Sequence, residues 1–403
     1  MNAIEQELLK ITAAALFEKE YDVHSNIDYA TVLEEASAQS VFGLVYPLVS
    51  SALPEQKDRE YEERFFAQVL QNTMVESGHA AVHELMASNQ IPYVTIKGCI
   101  SAKYYPDPSL RCMGDVDFLV KKSDFDRAVE LTEKQGFVPE EEESSVRHRS
   151  LKKGTVVWEV HHTVSGIPEG MIGAICRRKL DGIIKSAVRY ETESGVFMVP
   201  DDFYHGLVML LHVAGHVTST GVGLRHVCDW AVFVNSMSEN ALIEMFRKDF
   251  KEIGLWYFAK VLTALCTKYL GLPKREFTSD VDDKLLADMM DDILTGGNFG
   301  KKDKDRYHSS MLVSSDNSNM LKNGLRTLNK RAKVRMPITE KVPVLLPIGW
   351  AYVGVNHLVM IRKGQRPAIH PKRTLEKSSK RRDLNKSYKL YMIENQTEKV
   401  IKP

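Results

Sequence analysis

The sequence predicts an α/β (α+β) fold: a small mixed sheet flanked by helices, with helical N-terminal and C-terminal regions. Three observations predict it. Apolar residues recur at helical spacing before residue 90 and again beyond Pro200. Between those limits, short apolar runs alternate with helical stretches. At the centre, the run 91–96 ends at Lys97-Gly98, and Asp115-Val-Asp117 later leads straight into the apolar run 118–120. The first run reads as a strand opening onto a helix, the second as a strand carrying two carboxylates.

With 403 residues the chain is long enough for more than one domain. The pattern divides it into a helical region 1–90, an α/β core 91–200, a helical domain 201–300 and a helical region with a basic tail 301–403. A hydrophobic fraction of 43% with 27% charged residues is ordinary for a soluble globular protein. The net charge of +1 excludes any argument for a nucleic-acid partner from total charge. Five widely spaced cysteines without a C-x-x-C pair argue against a disulfide framework or a zinc knuckle, and for a reducing compartment. The first twenty residues lack a basic n-region and a small-residue cleavage site, so the expected location is cytoplasmic.

Taken in order, Leu8, Leu9, Ile11 and Thr12 mark a first helix, and Asn26 or Asp28 is placed to cap a second through Val32, Leu33, Ala36, Val41 and Phe42. A long helix over 55–89 carries Phe65, Phe66, Val69, Leu70, Met74, Val82, Leu85 and Met86 on one stripe. Ser123 reads as the N-cap of a helix that stops at Gly136. The acids 140–143 read as a solvated loop. Residues 155–164, β-branched and aromatic, form a strand, and 186–190 with 196–199 a hairpin. Asp201 or Asp202 caps a helix over 203–217, followed by helices over 223–235, 240–250 and 255–270. Residues 296–306 read as a flexible, charged connection.

On a strand, residues i and i+2 project from one face, ~6.5–7 Å apart. Asp115 and Asp117 in that arrangement repel each other and need a cation, and hard oxygen ligands suit Mg²⁺ or Mn²⁺, which also bind a triphosphate. Acid-x-acid triplets are frequent in a chain with 53 acids; Asp280-Val-Asp282, leading into a helical pattern, is a decoy. Phosphoryl transfer with two metals about 3.5–4 Å apart needs a third carboxylate. Glu159, between Trp158 and Val160 in the middle of a strand, is the candidate, and it is also placed to take the acceptor's proton. Lys97 or the Gly98 amide would bind the outgoing phosphates, and Arg111 would neutralise triphosphate charge. His161 shares the Glu159 face, as a supporting or core histidine more readily than a ligand. The competing readings are turn residues for Asp115 and Asp117, an exposed lysine pair for Glu159, and surface cations for Lys97 and Arg111. His212 and His216 have the spacing of zinc ligands but lack the Glu of H-E-x-x-H, so structural histidines are expected. Arg225 and Asp229, at i and i+4, read as an ion pair on one helix face.

Ile96-Lys-Gly98, Tyr105-Pro-Asp-Pro108 and Arg111-Cys-Met-Gly-Asp-Val-Asp-Phe-Leu-Val120 resemble the signature of the uncharacterised nucleotidyltransferase-like family of bacteria, within the polymerase-β-type nucleotidyltransferase superfamily. Glu159-Val-His161 resembles its acid-x-His strand. Leu210-Leu-His212, Gly223-Leu-Arg-His-Val-Cys-Asp229 and Gly297-Asn-Phe-Gly300 are similar to its helical half, so the resemblance runs from about 90 to 360. It implies a small mixed sheet of the nucleotidyltransferase type with Asp115, Asp117 and Glu159 as ligands of Mg²⁺ or Mn²⁺. The reaction expected is transfer of an NMP from an NTP such as ATP to a hydroxyl or phosphate acceptor on a small molecule, a protein or RNA. The superfamily's small Gly-Ser or Gly-Gly turn is here Lys97-Gly98-Cys99. The alternatives are a nucleotide-binding or scaffold protein on the same fold without turnover, and an RNA- or membrane-associated module.

The last of these rests on the tail. Residues 342–361 have transmembrane length, but Pro343, Pro347, Asn356 and His357 favour a packed helix. The stretch 362–382 is strongly basic and reads as a solvated face or as a contact to RNA or an anionic membrane. No obligate partner is evident.

Overall fold

The computed structural model describes residues 1–140, 148–303, 305–309, 312, 320–363 and 370–393; of the acidic run at 140–143, only Glu140 lies within them. Its centre is a five-stranded mixed sheet in the order β1-β2-β5-β4-β3, with helices before and after it.

The chain enters through α1 (Ala3–Leu16), α2 (Tyr29–Ala38), α3 (Phe42–Val49) and α4 (Glu55–Ser88). Asp28 caps α2 by accepting from the Ala30 and Thr31 amides. Val41 and Phe42 do not extend α2; they open α3 instead. The predicted stripe on α4 is wrong in part: Phe66 and Leu70 are exposed, 60% and 62%. The buried line is Val75, Gly78, His79, Val82 and Met86. Apolar periodicity caught Val82 and Met86 but missed Gly78 and His79, because a glycine and a histidine carry no apolar signal.

β1 (Tyr93–Thr95), α5 (Gly98–Ala102) and β2 (Val116–Val120) follow. Ser123 does not cap the next helix. Lys122–Asp124 is a 3₁₀ turn, and α6 (Phe125–Lys134) starts after it and ends before Gly136 at φ +86°. β3 (Val138–Pro139) and β4 (His148–Lys153) precede β5 (Val156–His161). β2 is antiparallel to β1 and parallel to β5. All five residues of β2 are buried, as expected for a strand covered on both faces. Val116, Phe118 and Val120, with Trp158 and Val160, pack under α4 in one core, whereas Leu119 belongs to the helical core on the other face. Asp117 alternates with them and therefore faces the helical half.

After α7 (Gly170–Leu180), β6 (Val188–Thr192) and β7 (Gly195–Val199) form the expected hairpin and close over α4, with Phe197 against His79. Asp201 caps α8 (Asp202–Val217). Then come α9 (Leu224–Asn235), α10 (Glu239–Glu252), α11 (Trp256–Leu270) and α12 (Asp283–Gly296), a layer packed around Trp230, Phe233, Phe246, Phe250 and Phe258. The decoy acid Asp282 caps α12.

Residues 296–306 are not a loose connection where described. Asn298 is buried and Phe299 stands at φ +56° against His216 and His226. Beyond lie α13 (Arg306–Ser309), α14 (Met320–Arg335), α15 (Ile338–Lys341), α16 (Leu346–Arg362) and α17 (Pro371–Ser387). α16 is not the packed helix expected: only Gly349, His357 and Met360 are buried. Part of the basic stretch is structural, since Lys377 pairs with Asp303 and Asp305, and Arg381 donates to the carbonyls of Val217 and Ser219.

The close approach of α4 to the sheet depends on Gly78, where an added Cβ would stand 2.6 Å from Val116 Cγ2. Gly78→Val is expected to cost ~1–3 kcal/mol through overpacking, read as a lower midpoint in urea unfolding.

Candidate functional site

The site is assembled by strand register. Parallel pairing of β2 with β5 sets Asp117 directly opposite Glu159, and His161, two residues further along β5, lies on the same face. His161 Nε2 is 2.8 Å from Asp117 Oδ1 and 3.0 Å from Glu159 Oε2. Ser150 Oγ, on β4, donates to Glu159 Oε1 at 3.2 Å. The Lys97 ammonium completes the cluster at 2.6 Å from Asp117 Oδ1 and 3.3 Å from Glu159 Oε2.

Lys97 arrives there on a strained backbone. Ile96 N–H still bonds Asp117 O, and the chain must then turn at once into α5. It does so with Lys97 at φ +67°, ψ −130°, a conformation that ordinarily belongs to glycine. Gly98 follows because its Cα faces the Arg111 guanidinium, where a Cβ would come within 3.0 Å of an Nη.

Charge in the cluster is self-consistent. Burial raises the Glu159 carboxyl, but the His161 hydrogen bond and the Lys97 charge outweigh it and hold the group well below the usual carboxylate range. Burial likewise lowers Lys97, and Asp117 and Glu159 more than restore it, so its ammonium is held above the usual lysine range. A carboxyl so far below neutrality is a poor proton acceptor, because a general base works best with a pKa near the working pH. Glu159 is thus better suited to holding a cation than to the base role its sequence suggests.

This face opens into a cavity of about 340 Å³ between the sheet and the helical layer. Asp115 and Asp117 both line it. Asp115 precedes β2 and is exposed at the rim, outside the group formed by Asp117, Glu159 and His161. Arg111 also lines the cavity, but its fork is engaged: Nε and Nη2 donate to the two Asp229 oxygens at 2.9 and 2.7 Å. Tyr105 OH adds a 2.7 Å bond to the same carboxylate. The pairing read from the sequence, Arg225 with Asp229, is therefore replaced by Arg111 with Asp229, whose bidentate, buried geometry outcompetes a neighbour on the same helix. Arg225 instead faces the cavity. It donates to Cys112 O at 3.2 Å, lies 5.5 Å from the Phe299 ring centre and has no carboxylate partner among the described residues. Burial, then the nearby Arg111 charge, lowers its affinity for its proton.

The structure thus brings together Lys97, Asp117, Glu159 and His161, keeps Asp115 and Gly98 on the cavity wall, and assigns Arg111 to a structural pair. Sequence reading missed Arg225 and Phe299 as cavity residues. The only available signal was Arg225 lying four residues before a buried acid, and it pointed to the wrong partner.

Two carboxylates and an imidazole, with one ligand atom each within 4.8 Å of the others, form a donor set suited to a divalent cation. The clustering of the acids about the Lys97 ammonium shows that the site is built for positive charge. A family model described as uncharacterised nucleotidyltransferase matches residues 25–271. The chain belongs to that nucleotidyltransferase family. The match reaches back through α2 to α4 and ends before the Phe299 turn. Nucleotidyl transfer is accordingly its general reaction, with an NTP as substrate and a divalent metal as the usual companion. No curated protein matches the sequence.

Because Asp229 neutralises the buried Arg111 beside the Arg225 guanidinium, Asp229→Ala is expected to lower folding stability by ~3–5 kcal/mol. Denaturant unfolding checks this, and a loss under 1 kcal/mol would remove the pair from its structural role.

Proposed function

We propose that the protein is a metal-dependent nucleotidyltransferase that moves an NMP from an NTP to a hydroxyl or phosphate acceptor in the cavity beside β2. The observation that carries this is the Asp117–Glu159 pair, set face to face by the β2/β5 register, with Asp117 on the wall of that cavity. Asp117 and Glu159, with Asp115 at the rim, would hold Mg²⁺ in a two-metal arrangement. When bound, the metal supplies neutralisation of phosphate charge and a lower pKa for an attacking hydroxyl. His161 orients both carboxylates through Nε2. Arg225 and Lys301 on the cavity wall are the cations available to the phosphates, with Lys97 already paired to Asp117 and Glu159. Phe299 offers an aromatic face beside Arg225. The cavity volume lies within the ordinary range for small-molecule sites. Five unpaired cysteines support a cytoplasmic location.

One observation favours a membrane contact as well. Pro343–Arg362 is long and apolar enough to cross a bilayer, yet only 11% of it is buried. Ile348, Val355 and Leu358 on α16 are more than half exposed, and exposed Lys341, Arg362 and Lys363 stand at its ends. An apolar face bounded by cations matches the surface of an anionic membrane. We read α16 as lying on such a surface.

Two outcomes test these readings. Asp117→Asn should reduce Mg²⁺-dependent pyrophosphate release from labelled NTPs at least 100-fold, roughly what loss of one key electrostatic group costs, without changing the far-UV CD spectrum; unchanged release means the site is misplaced. Val355→Asp with Leu358→Asp should abolish co-sedimentation with phosphatidylserine vesicles, and wild-type protein that fails to sediment would end the membrane reading. RNA binding that survives both substitutions would assign the basic tail to nucleic acid instead.

A further inference from the structure

Opposite the acid cluster, the helical layer carries a second group of potential metal ligands. His212 and His216 lie one turn apart on α8, and His226 stands in the first turn of α9. One ring nitrogen of each lies within 4.8 Å of the other two. We propose that these three histidines form a separate site for a first-row transition-metal ion such as Zn²⁺, with one coordination position directed into the cavity.

The geometry of the rings carries the argument. His212 Nδ1 is 2.8 Å from Ser165 Oγ, and His216 Nδ1 is 3.1 Å from Thr220 Oγ1. With a metal bound and the hydroxyls accepting, both Nδ1 atoms would carry the protons and both Nε2 atoms would present lone pairs; without it, one Nε2–H donates to the other ring. Those two Nε2 atoms stand 3.1 Å apart. Tetrahedral zinc, with Zn–N near 2.0–2.1 Å, sets its nitrogens about 3.3 Å from one another. Two ligands are therefore already at nearly the spacing that the ion requires, each with a hydroxyl oxygen placed to accept from its other ring nitrogen and orient the ring.

His226 completes the group from the neighbouring helix, with ring centroids 5.6 Å from His212 and 5.3 Å from His216. Its Nδ1 lies 3.3 Å from Gly223 N, a long contact. Ligation through Nε2 would move its proton to Nδ1 and give that contact up. Burial holds all three imidazoles in the neutral form that ligates, His216 with a pKa lowered to about 3 and the other two well below their usual value. Imidazole donors without a carboxylate suit zinc, copper, iron or nickel rather than Mg²⁺, so the two clusters differ in the metal they select.

Access exists from two sides. His212 and His226 line the cavity that Asp115 and Asp117 share, and His212 with His216 borders another of about 670 Å³. Three histidines with a fourth position open is the arrangement of zinc sites that bind an exogenous oxygen ligand.

Co²⁺ is the probe, titrated into metal-free full-length protein and followed by visible absorption. One equivalent is expected to give the intense d–d bands of a four-coordinate site with three nitrogen donors. The bands should persist in Asp117→Asn, which leaves the histidines untouched, and disappear in His212→Gln and His226→Gln. Ser165→Ala should weaken Co²⁺ binding about 10–100-fold. Wild-type protein without the bands, bands lost in Asp117→Asn, or bands retained in His226→Gln would each overturn the site. Should a histidine variant fail to fold by circular dichroism, the Asp117→Asn and Ser165→Ala titrations decide alone. Because Asp117→Asn removes the proposed Mg²⁺ site, failure of the nucleotidyl-transfer reading leaves this result unaffected.

Discussion

Two carboxylates set against each other across a parallel strand pair, with little water between them, cannot both remain charged unless a cation is held with them. The β2/β5 register imposes this on Asp117 and Glu159, and much of the surrounding structure can be traced to it. The back face of the same strands is fixed by Phe118, Trp158 and Val160 under α4, so the acids cannot separate by letting the sheet slip. A one-residue slip would also turn the entire apolar set toward the cavity. His161 and Ser150 take up the oxygen lone pairs that the register leaves over. The hydrophobic core thus holds the electrostatic strain in place.

A second constraint joins the sheet to the helical layer. Arg111, in the segment before β2, is buried against Asp229 on α9, and Cys112 O accepts from Arg225 on the same helix. These contacts place the helical residues over the acids, so that one cavity carries carboxylates on its sheet wall and a guanidinium, an aromatic ring and imidazoles on its helical wall. A buried ion pair contributes little net stability when compared with apolar packing, yet losing one partner is costly. Such a pair serves well to fix the relative position of two layers, which is what a site built between them requires.

The elements legible in the sequence were those with strong local periodicity. α8 to α12, β1, β2, β5 and the hairpin followed from apolar spacing and capping residues. β4 was not legible, because His148–Lys153 has two buried residues among four polar or charged ones, and its strand character comes from pairing with β5. The buried stripe of α4 was obscured for a related reason: Gly78 and His79 are inside because of what the sheet presents to them. In the site, Asp117, Glu159 and Lys97 could be found because a charge beside an apolar run is conspicuous. Arg225 was given the wrong partner because sequence spacing reports neighbours on one helix, and the pairing of Arg111 with Asp229 was not legible, because both guanidiniums are engaged by contacts between layers more than one hundred residues apart.

Lys97 shows which force dominates locally. A glycine at that position would relieve a backbone strain of about 1–3 kcal/mol. It would also leave two largely buried carboxylates without their ammonium, and an unpaired buried charge costs about 3–5 kcal/mol. Electrostatics outweighs backbone strain here, which is why a lysine tolerates a glycine's conformation. The same balance explains why a lysine rather than a small residue stands at a turn that lines the cavity. Lys97 is therefore better understood as the counter-charge of Asp117 and Glu159 than as a substitute for a phosphate-binding turn. The backbone amides of that turn are secondary to the cation that the turn delivers.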